Sequence, residues 1–273
     1  MERLESLCTA NTAEALAYLC GRPYENVFVH WLVASGQAER AGTAIAWRDA
    51  SGAIDGFCYL GRQIVPCGDR EGALAAFAER IAHSARASMI VGPRVAVEGL
   101  WSYAEGSLPA PRAVRASQPL FALARPKLRF SRADADVGRA TRAELDELVP
   151  QSAKMIAGEI GLDPRETFAD LWTRTARIID AGWWWCYRVD DKLAFMCNVG
   201  AASPSTAQVQ GVWAPPAMRG QGFATRALGA ICDHLLDEHP TLSLYVNDFN
   251  RPAIALYERV GFERVGEFAT LLF

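Results

Sequence analysis

Residues 211–228 read GVWAPPAMRGQGFATRAL, and this stretch decides the fold of the second half of the chain. A β-rich run ends at two prolines, and a loop containing Gly220 and Gly222 opens directly into an amphipathic helix. Glycines allow a sharp turn, so that N–H groups of the loop and the first helical turn can converge on one anion. The pattern therefore predicts a phosphate or diphosphate site, although a tight connection alone would also use these glycines.

A second block, NRPAIALYERVGF, occupies residues 250–262. It predicts a short helix that opens at Asn250 and Arg251 and ends at Gly261, which suits a left-handed C-terminal cap. Tyr257 lies near the end of this helix. A phenol with an ordinary pKa of about 10 is protonated at neutral pH and is able to donate a proton.

With both blocks in place, residues 135–273 resemble the GNAT superfamily of acyl-CoA-dependent N-acyltransferases. The residues that carry the resemblance are Arg219, Gly220, Gln221, Gly222, Phe223, Ala224, Asn250, Ala253, Tyr257, Gly261 and Phe262. The segments QVQGVW, LYVNDFN and VGEFATLLF, together with NVFV, IVGP and QPLFAL in the first half, look like a two-domain GNAT subfamily common in actinobacteria. The N-terminal domain of that subfamily is itself uncharacterised.

The resemblance implies a binding site for acetyl-CoA or another acyl-CoA as the acyl donor. The strand end would pair with the pantetheine arm, the glycine loop would enclose the diphosphate, and Asn250 would bond the cofactor amides or stabilise the helix start. The expected cofactor-binding residues are Val212, Trp213, Ala214, Arg219, Gly220, Gln221, Gly222, Phe223, Ala224, Thr225, Asn250, Arg251 and Tyr257.

The implied reaction is transfer of an acyl group, acetyl above all, to a primary amine by direct attack in a ternary complex. Tyr257 would act as the general acid toward the departing thiolate. Glu159 and Asp248 are the candidate bases, and ordered water is the alternative to both. A non-catalytic acyl-CoA-binding regulatory module is the competing function, whereas net acidity argues against an aminoacyl-tRNA-dependent transferase.

Composition restricts the other partners. The formal net charge of −3 gives no general attraction for nucleic acid or for an anionic membrane, and no segment has the length or apolarity of a membrane span. The four histidines and seven cysteines show no metal-ligand spacing, so no metal is expected. These features predict a cytoplasmic protein. The resemblance implies a small-molecule or peptide amine as the acceptor, and a monomer or a homodimer is expected.

The fold class is predicted as α/β (α+β), with two domains. Residues 131–273 should form a GNAT-like mixed sheet flanked by helices, and residues 1–130 a smaller, non-catalytic α/β domain, for which a degenerate copy of the same fold is one explanation. Local patterns predict a hairpin around the turn DASG, a capping box from Thr141 to Glu144, and two-sided burial of the WWW run. Residues 108–132, with four prolines, are predicted to pass between the domains, and the segment RPKLRFSRADAD, residues 125–136, to be an exposed, charged connector.

Overall fold

The computed structural model describes residues 2–82, 87–160 and 168–273, except for the side chains of residues 159, 160, 168 and 169. The chain divides into two compact units, each of which combines separate stretches of the sequence. The first comprises Met1–Phe121, Tyr245–Arg251 and Arg264–Phe273, and the second comprises Ala122–Leu244 and Pro252–Glu263. Because neither unit is one continuous stretch, the linear boundary at residue 130 stays a prediction.

The first unit is a sheet with helices. Strands β1 to β4 pair antiparallel in chain order, and β4 pairs with β5 in parallel. The predicted hairpin is confirmed as β2 and β3, and Asp49 Oδ1 accepts the backbone N–H groups of Ser51 and Ala53 in its turn. The elements are β1 (Arg3–Ser6), α1 (Thr12–Cys20), α2 (Pro23–Ala34), α3 (Gln37–Arg40), β2 (Ala44–Arg48), β3 (Ile54–Leu60), β4 (Gln63–Cys67), α4 (Glu71–Ala82), β5 (Met89–Pro93), α5 (Arg94–Ala104) and most of β6 (Ala113–Ala124).

The second unit repeats this order of elements. Strands β7 to β10 pair antiparallel in chain order, and β10 pairs with β11 in parallel. The predicted mixed sheet with helices is confirmed, and the repetition supports a copied fold that is not visible as a sequence repeat. The elements are β7 (Val137–Arg139), α6 (Leu145–Ile160), α7 (Phe168–Asp180), β8 (Trp184–Val189), β9 (Lys192–Ala202), β10 (Ala207–Trp213), α8 (Phe223–Glu238), β11 (Thr241–Tyr245) and α9 (Arg251–Val260).

The last strand of the chain completes the first unit. Strand β12 (Glu263–Leu272) pairs antiparallel with β5, with Phe268 opposite Pro93 and Leu272 opposite Met89. Its apolar residues Phe268 and Leu271 are buried in the cores of that unit. The first unit therefore draws part of its core from the far end of the sequence.

The predicted passage between the domains, residues 108–132, contains a strand at its centre, because residues 113–124 form β6. Exposure alternates from Ala113 to Ser117, and every residue from 118 to 123 is then buried. Pro119 lacks an N–H, yet its carbonyl accepts the N–H of Val246 at 3.2 Å. Buried Gln118 is satisfied by Asn247 at 2.9 Å and Thr270 at 2.6 Å, so the strand tolerates both residues.

Two local predictions in the second unit are confirmed. Thr141 and Glu144 form a capping box at the 3₁₀ turn that leads into α6. Trp184 and Trp185 are 3% and 4% exposed on opposite sides of β8, as alternation requires. The tryptophan run is thus core rather than a ligand platform.

Gly261 ends α9 with φ +117°, and an ideal Cβ there would lie 2.0 Å from the carbonyl oxygen of Lys127. We expect Gly261→Ala to lower the free energy of unfolding by at least about 2 kcal/mol, since both the backbone conformation and the contact exclude a methyl group. Gly158→Ala in α6, where no atom of a described residue outside the helix's own backbone lies within 4 Å of an ideal Cβ, should raise stability by up to about 1 kcal/mol. Equal effects of the two substitutions in urea denaturation would contradict this reading of Gly261.

Candidate functional site

The end of β10 departs from its neighbours at a bulge. Gly211 has φ +65°, and an ideal Cβ would lie 2.4 Å from Asn198 Nδ2, so only glycine fits. The register with β9 shifts between Gln210 and Trp213, and the parallel register with β11 ends at Gln208 while β10 runs on to Trp213. The last residues of the strand therefore present backbone beyond their parallel partner, which is the edge that an extended amide-bearing ligand pairs with.

Arg219 braces the loop that follows. Its Nε donates to the carbonyl of Ala214 at 2.9 Å, and its guanidinium lies 4.6 Å from the centre of the Trp213 ring. Its own backbone N–H bonds to the carbonyl of Pro216 at 3.3 Å. The phosphate contact predicted for Arg219 stays a prediction, whereas the described contacts of this side chain tie the loop to the strand end.

The start of α8 leaves its backbone donors open. The first helical bond runs from Arg226 N–H to the carbonyl of Gly222 at 3.3 Å, and within the described chain the N–H groups of residues 220–225 have no acceptor. Gly220 and Gly222 have φ +76° and +78°, and no atom lies within 4 Å of an ideal Cβ at either position. The helix N-terminus is therefore uncapped and faces open space, where its dipole favours an anion.

The neighbouring cation is Arg226, whose exposed side chain lies 5.5 Å from the centre of the Phe223 ring. Phe223 in turn contacts the ring of Tyr187 at 6.2 Å. A row of amide donors beside an arginine matches the negative charge and the acceptor oxygens of a diphosphate. The donor set of residues 220–226 consequently fits the anionic part of an acyl-CoA.

Tyr257 is held rigidly within α9. It is 6% exposed, its carbonyl accepts the N–H groups of Gly261 and Phe262 at 3.1 and 3.0 Å, and its ring meets that of Phe262 edge-on at 6.0 Å. Tyr257 belongs to the same compact unit as the glycine loop. Packing thus fixes the direction of the phenol, as a positioned proton donor requires.

The remaining predicted site residues stay predictions. Asn250, Arg251 and Asp248 belong to the first compact unit, and the N–H of Asn250 bonds to the carbonyl of Asn247 at 2.9 Å. Asp248 is exposed. Glu159 lies near the end of α6, and its side chain is outside the described part of the chain.

The buried thiols are unsuited to nucleophilic catalysis. Burial raises the pKa of Cys186 to about 12 and raises the pKa values of Cys197 and Cys232 as well, so all three are protonated at neutral pH. Cys8 and Cys20 are exposed. Among the described residues no three His, Cys, Asp or Glu side chains form a metal site, and no helix there is long and apolar enough to span a membrane.

Sequence reasoning missed two features of this site. The bulge at Gly211 had a usable signal, because an isolated glycine inside a strand pattern often marks a bulge. No sequence signal indicates the contact between the Arg219 guanidinium and the Trp213 ring, because this contact depends on how the loop folds back onto the strand end. The bulge and the brace together place the strand end beside the uncapped helix.

Comparison with known proteins agrees with this geometry. Residues 157–262 match the Acetyltransferase (GNAT) family, and residues 43–148 match a domain of unknown function, DUF4081. An acetyltransferase of Agrobacterium fabrum is 32% identical over 84 residues, which are 31% of this chain. The match spans about three fifths of that relative, 61% of its length.

Solved structures share the fold across the whole chain. A GNAT-family acetyltransferase of Colwellia psychrerythraea has a TM-score of 0.60 at 14% identity and covers 99% of both chains. A tandem GNAT protein from the clavulanic acid biosynthesis pathway has a TM-score of 0.59 at 13% identity and covers 100% of this chain and 98% of that one. Residues 157–262 of this chain are therefore similar to the Acetyltransferase (GNAT) family, and they follow a region, residues 43–148, that is similar to DUF4081.

Proposed function

We propose that the protein transfers an acetyl group from acetyl-CoA to a primary amine of a small-molecule or peptide acceptor. One observation carries the proposal. The open N–H groups of residues 220–225 stand at the start of a 16-residue helix, directly after a strand end that has run past its parallel partner. This combination offers one surface for a diphosphate and one for a chain of amides.

The donor would bind along these two surfaces. The amides of residues 220–225, with Arg226, would hold the diphosphate, and the backbone of Val212, Trp213 and Ala214 would pair with the pantetheine amides. Asn250 and Arg251 stay candidates for further amide and phosphate contacts. When bound, the coenzyme supplies an acetyl group activated as a thioester.

The proposed transfer of the acetyl group needs no covalent enzyme intermediate. The amine nitrogen attacks the thioester carbonyl, a C–N bond forms, and the C–S bond breaks. The leaving thiolate takes a proton from the Tyr257 phenol, and the proton lost by the amine goes to a base and returns to the phenolate through solvent. The protonated state of the buried cysteines favours this direct route over an acyl-cysteine.

The base is assigned only as a set of candidates. Glu159 and Asp248 are carboxylates able to accept the ammonium proton, and ordered water would serve if neither reaches the amine. Asp248 is exposed, so its carboxylate is accessible to solvent. A structure with coenzyme A bound would locate the thioester and thereby the base.

A non-catalytic acyl-CoA-binding module is the second candidate function. The observation in its favour is that, in the described chain, no carboxylate or histidine hydrogen-bonds to residues 212–225. We expect calorimetry to detect acetyl-CoA binding and a thiol-reactive dye to detect amine-dependent release of coenzyme A across a panel of amines. Binding without release would favour the module, and the absence of both would refute an acyl-CoA site altogether.

Gly222→Ala should weaken acetyl-CoA binding by at least about tenfold, because a methyl group would occupy the open side of the amide row and shift its backbone. Gly42→Ala is the matched control. Gly42 also has a positive φ, +61°, with no atom within 4 Å of an ideal Cβ, so it suffers similar backbone strain away from the loop. Calorimetric Kd values that change equally in both variants would contradict the assignment of the loop.

Tyr257→Phe tests the general acid. Removing the hydroxyl keeps the buried ring, so the Kd for acetyl-CoA and the Tm should stay close to wild type while kcat falls by about 100-fold. Steady-state kinetics and calorimetry on the same preparation measure the two quantities. A variant with wild-type kcat would show that the thiolate leaves without help from Tyr257.

A further inference from the structure

The end of strand β10 contacts helix α6 at two points. The indole N–H of Trp213 donates to Gln151 Oε1 at 3.3 Å. One turn further along the helix, the Met155 methyl carbon Cε lies 3.9 Å from an ideal Cβ at Gly211. Because the two helical residues are four positions apart, their side chains leave α6 on the same face. Helix and strand end therefore share one interface.

The strand end also determines where the acyl group of a bound donor would lie. With the diphosphate at residues 220–225, the pantetheine arm would run back along residues 214, 213 and 212, and the thioester would reach Gly211. The arm can go no further in the plane of the sheet, because Gln208 of β10 is already paired with Ser243 of β11. This placement rests on the acyl-CoA site of the proposed function.

Helix α8 packs on the face of the sheet opposite to α6. Its His234 stacks on Trp185 with 5.4 Å between the ring centres, and its Phe223 contacts Tyr187 at 6.2 Å. Trp184 points to the other face, where it is buried in one core cluster with residues of α6 and α7. Since α8 occupies its own face, the acyl group would lie on the side of the strand end that carries α6.

On that side, the space next to Gly211 is already filled. An ideal Cβ at Gly211 would lie 2.4 Å from Asn198 Nδ2. Asn198 is 5% exposed, and its backbone is held between Trp184 of β8 and Gln210 of β10. Met155 is half-buried and unbranched, so it is the side chain here with freedom to adjust. The space is thus closed by a fixed amide from the sheet and a flexible side chain from the helix.

We propose that Met155 limits the length of the acyl group that the protein accepts, with Asn198 as the fixed end of the same pocket. An acetyl group places one methyl group beyond the thioester carbonyl. A butyryl group places three carbons there and would have to displace the Met155 side chain. Rejection of one extra methylene group by a closed pocket is worth about 10–200-fold. A single residue of α6 would therefore make the protein selective for acetyl-CoA.

Calorimetry on the full chain with coenzyme A, acetyl-CoA and butyryl-CoA tests this pocket without an acceptor. In the wild type, butyryl-CoA should bind at least about tenfold more weakly than acetyl-CoA. Equal Kd values for the two thioesters would overturn the length limit but leave the acyl-CoA site intact. If none of the three compounds binds, the proposed function itself is refuted, and the length limit with it.

Two substitutions should change the preference in opposite directions. Met155→Ala removes most of the side chain and should reduce the ratio of the butyryl-CoA and acetyl-CoA Kd values to below about threefold. Met155→Phe fills the pocket and should weaken acetyl-CoA at least about fivefold relative to coenzyme A, an effect that general loss of stability would not produce. Met89→Ala is the matched control, because Met89 is a half-buried methionine of the first unit.

An unchanged ratio in Met155→Ala would refute the role of Met155, as would equal affinity of Met155→Phe for acetyl-CoA and coenzyme A. If either variant does not fold, as judged by its Tm, the other decides alone. Met89→Ala should leave both ratios at their wild-type values. A shift there as large as in Met155→Ala would mean that selectivity follows overall stability, which would also count against the proposal.

Discussion

The unpaired amide groups at the start of α8 are the feature on which the chemistry of the second unit depends. Two 3₁₀ turns in this unit cap themselves, since Ser131 with Asp134 and Thr141 with Glu144 both form capping boxes. Gly222 has no side chain to offer, and its positive φ turns the chain into the helix without a capping acceptor. A serine or aspartate at position 222 would compete with any bound anion for the same N–H groups. Arg219 keeps the loop in place by using its side chain, which leaves those amides untouched.

Sequence reasoning succeeded where a short pattern determines its own conformation. The hairpin turn at Asp49, the capping box at Thr141, and the strand–loop–helix around Gly222 are all local, and each follows from the backbone freedom or the donors of a few residues. It failed at β6, because Pro119 and the polar Gln118 read as loop, and only distant residues such as Asn247 and Thr270 make that strand acceptable. The candidate base could not be located either, since the position of a carboxylate relative to an amine depends on tertiary packing.

The two units share one order of elements but differ in charge at the start of the helix that follows β4 in the first unit and β10 in the second. In the first unit the connection from β4 to α4 is only Gly68, Asp69 and Arg70, and the helix begins at the acidic Glu71. In the second unit the connection from β10, residues 214–222, is longer, contains Gly220 and Gly222, and has no acidic residue. A carboxylate beside a helix N-terminus already supplies the negative charge that the helix dipole favours there, and it would repel a diphosphate. Asp69 and Glu71 thus disfavour a bound anion at the start of α4.

The pairing of β12 with β5 constrains how the chain is made as well as how it is held together. On the ribosome, β5 emerges long before residues 263–272, so the nascent first unit carries an open strand edge and a core that still lacks Phe268. Residues 263–272 must therefore be synthesised before this edge can close. Until then the edge of β5 is open to pairing with another strand.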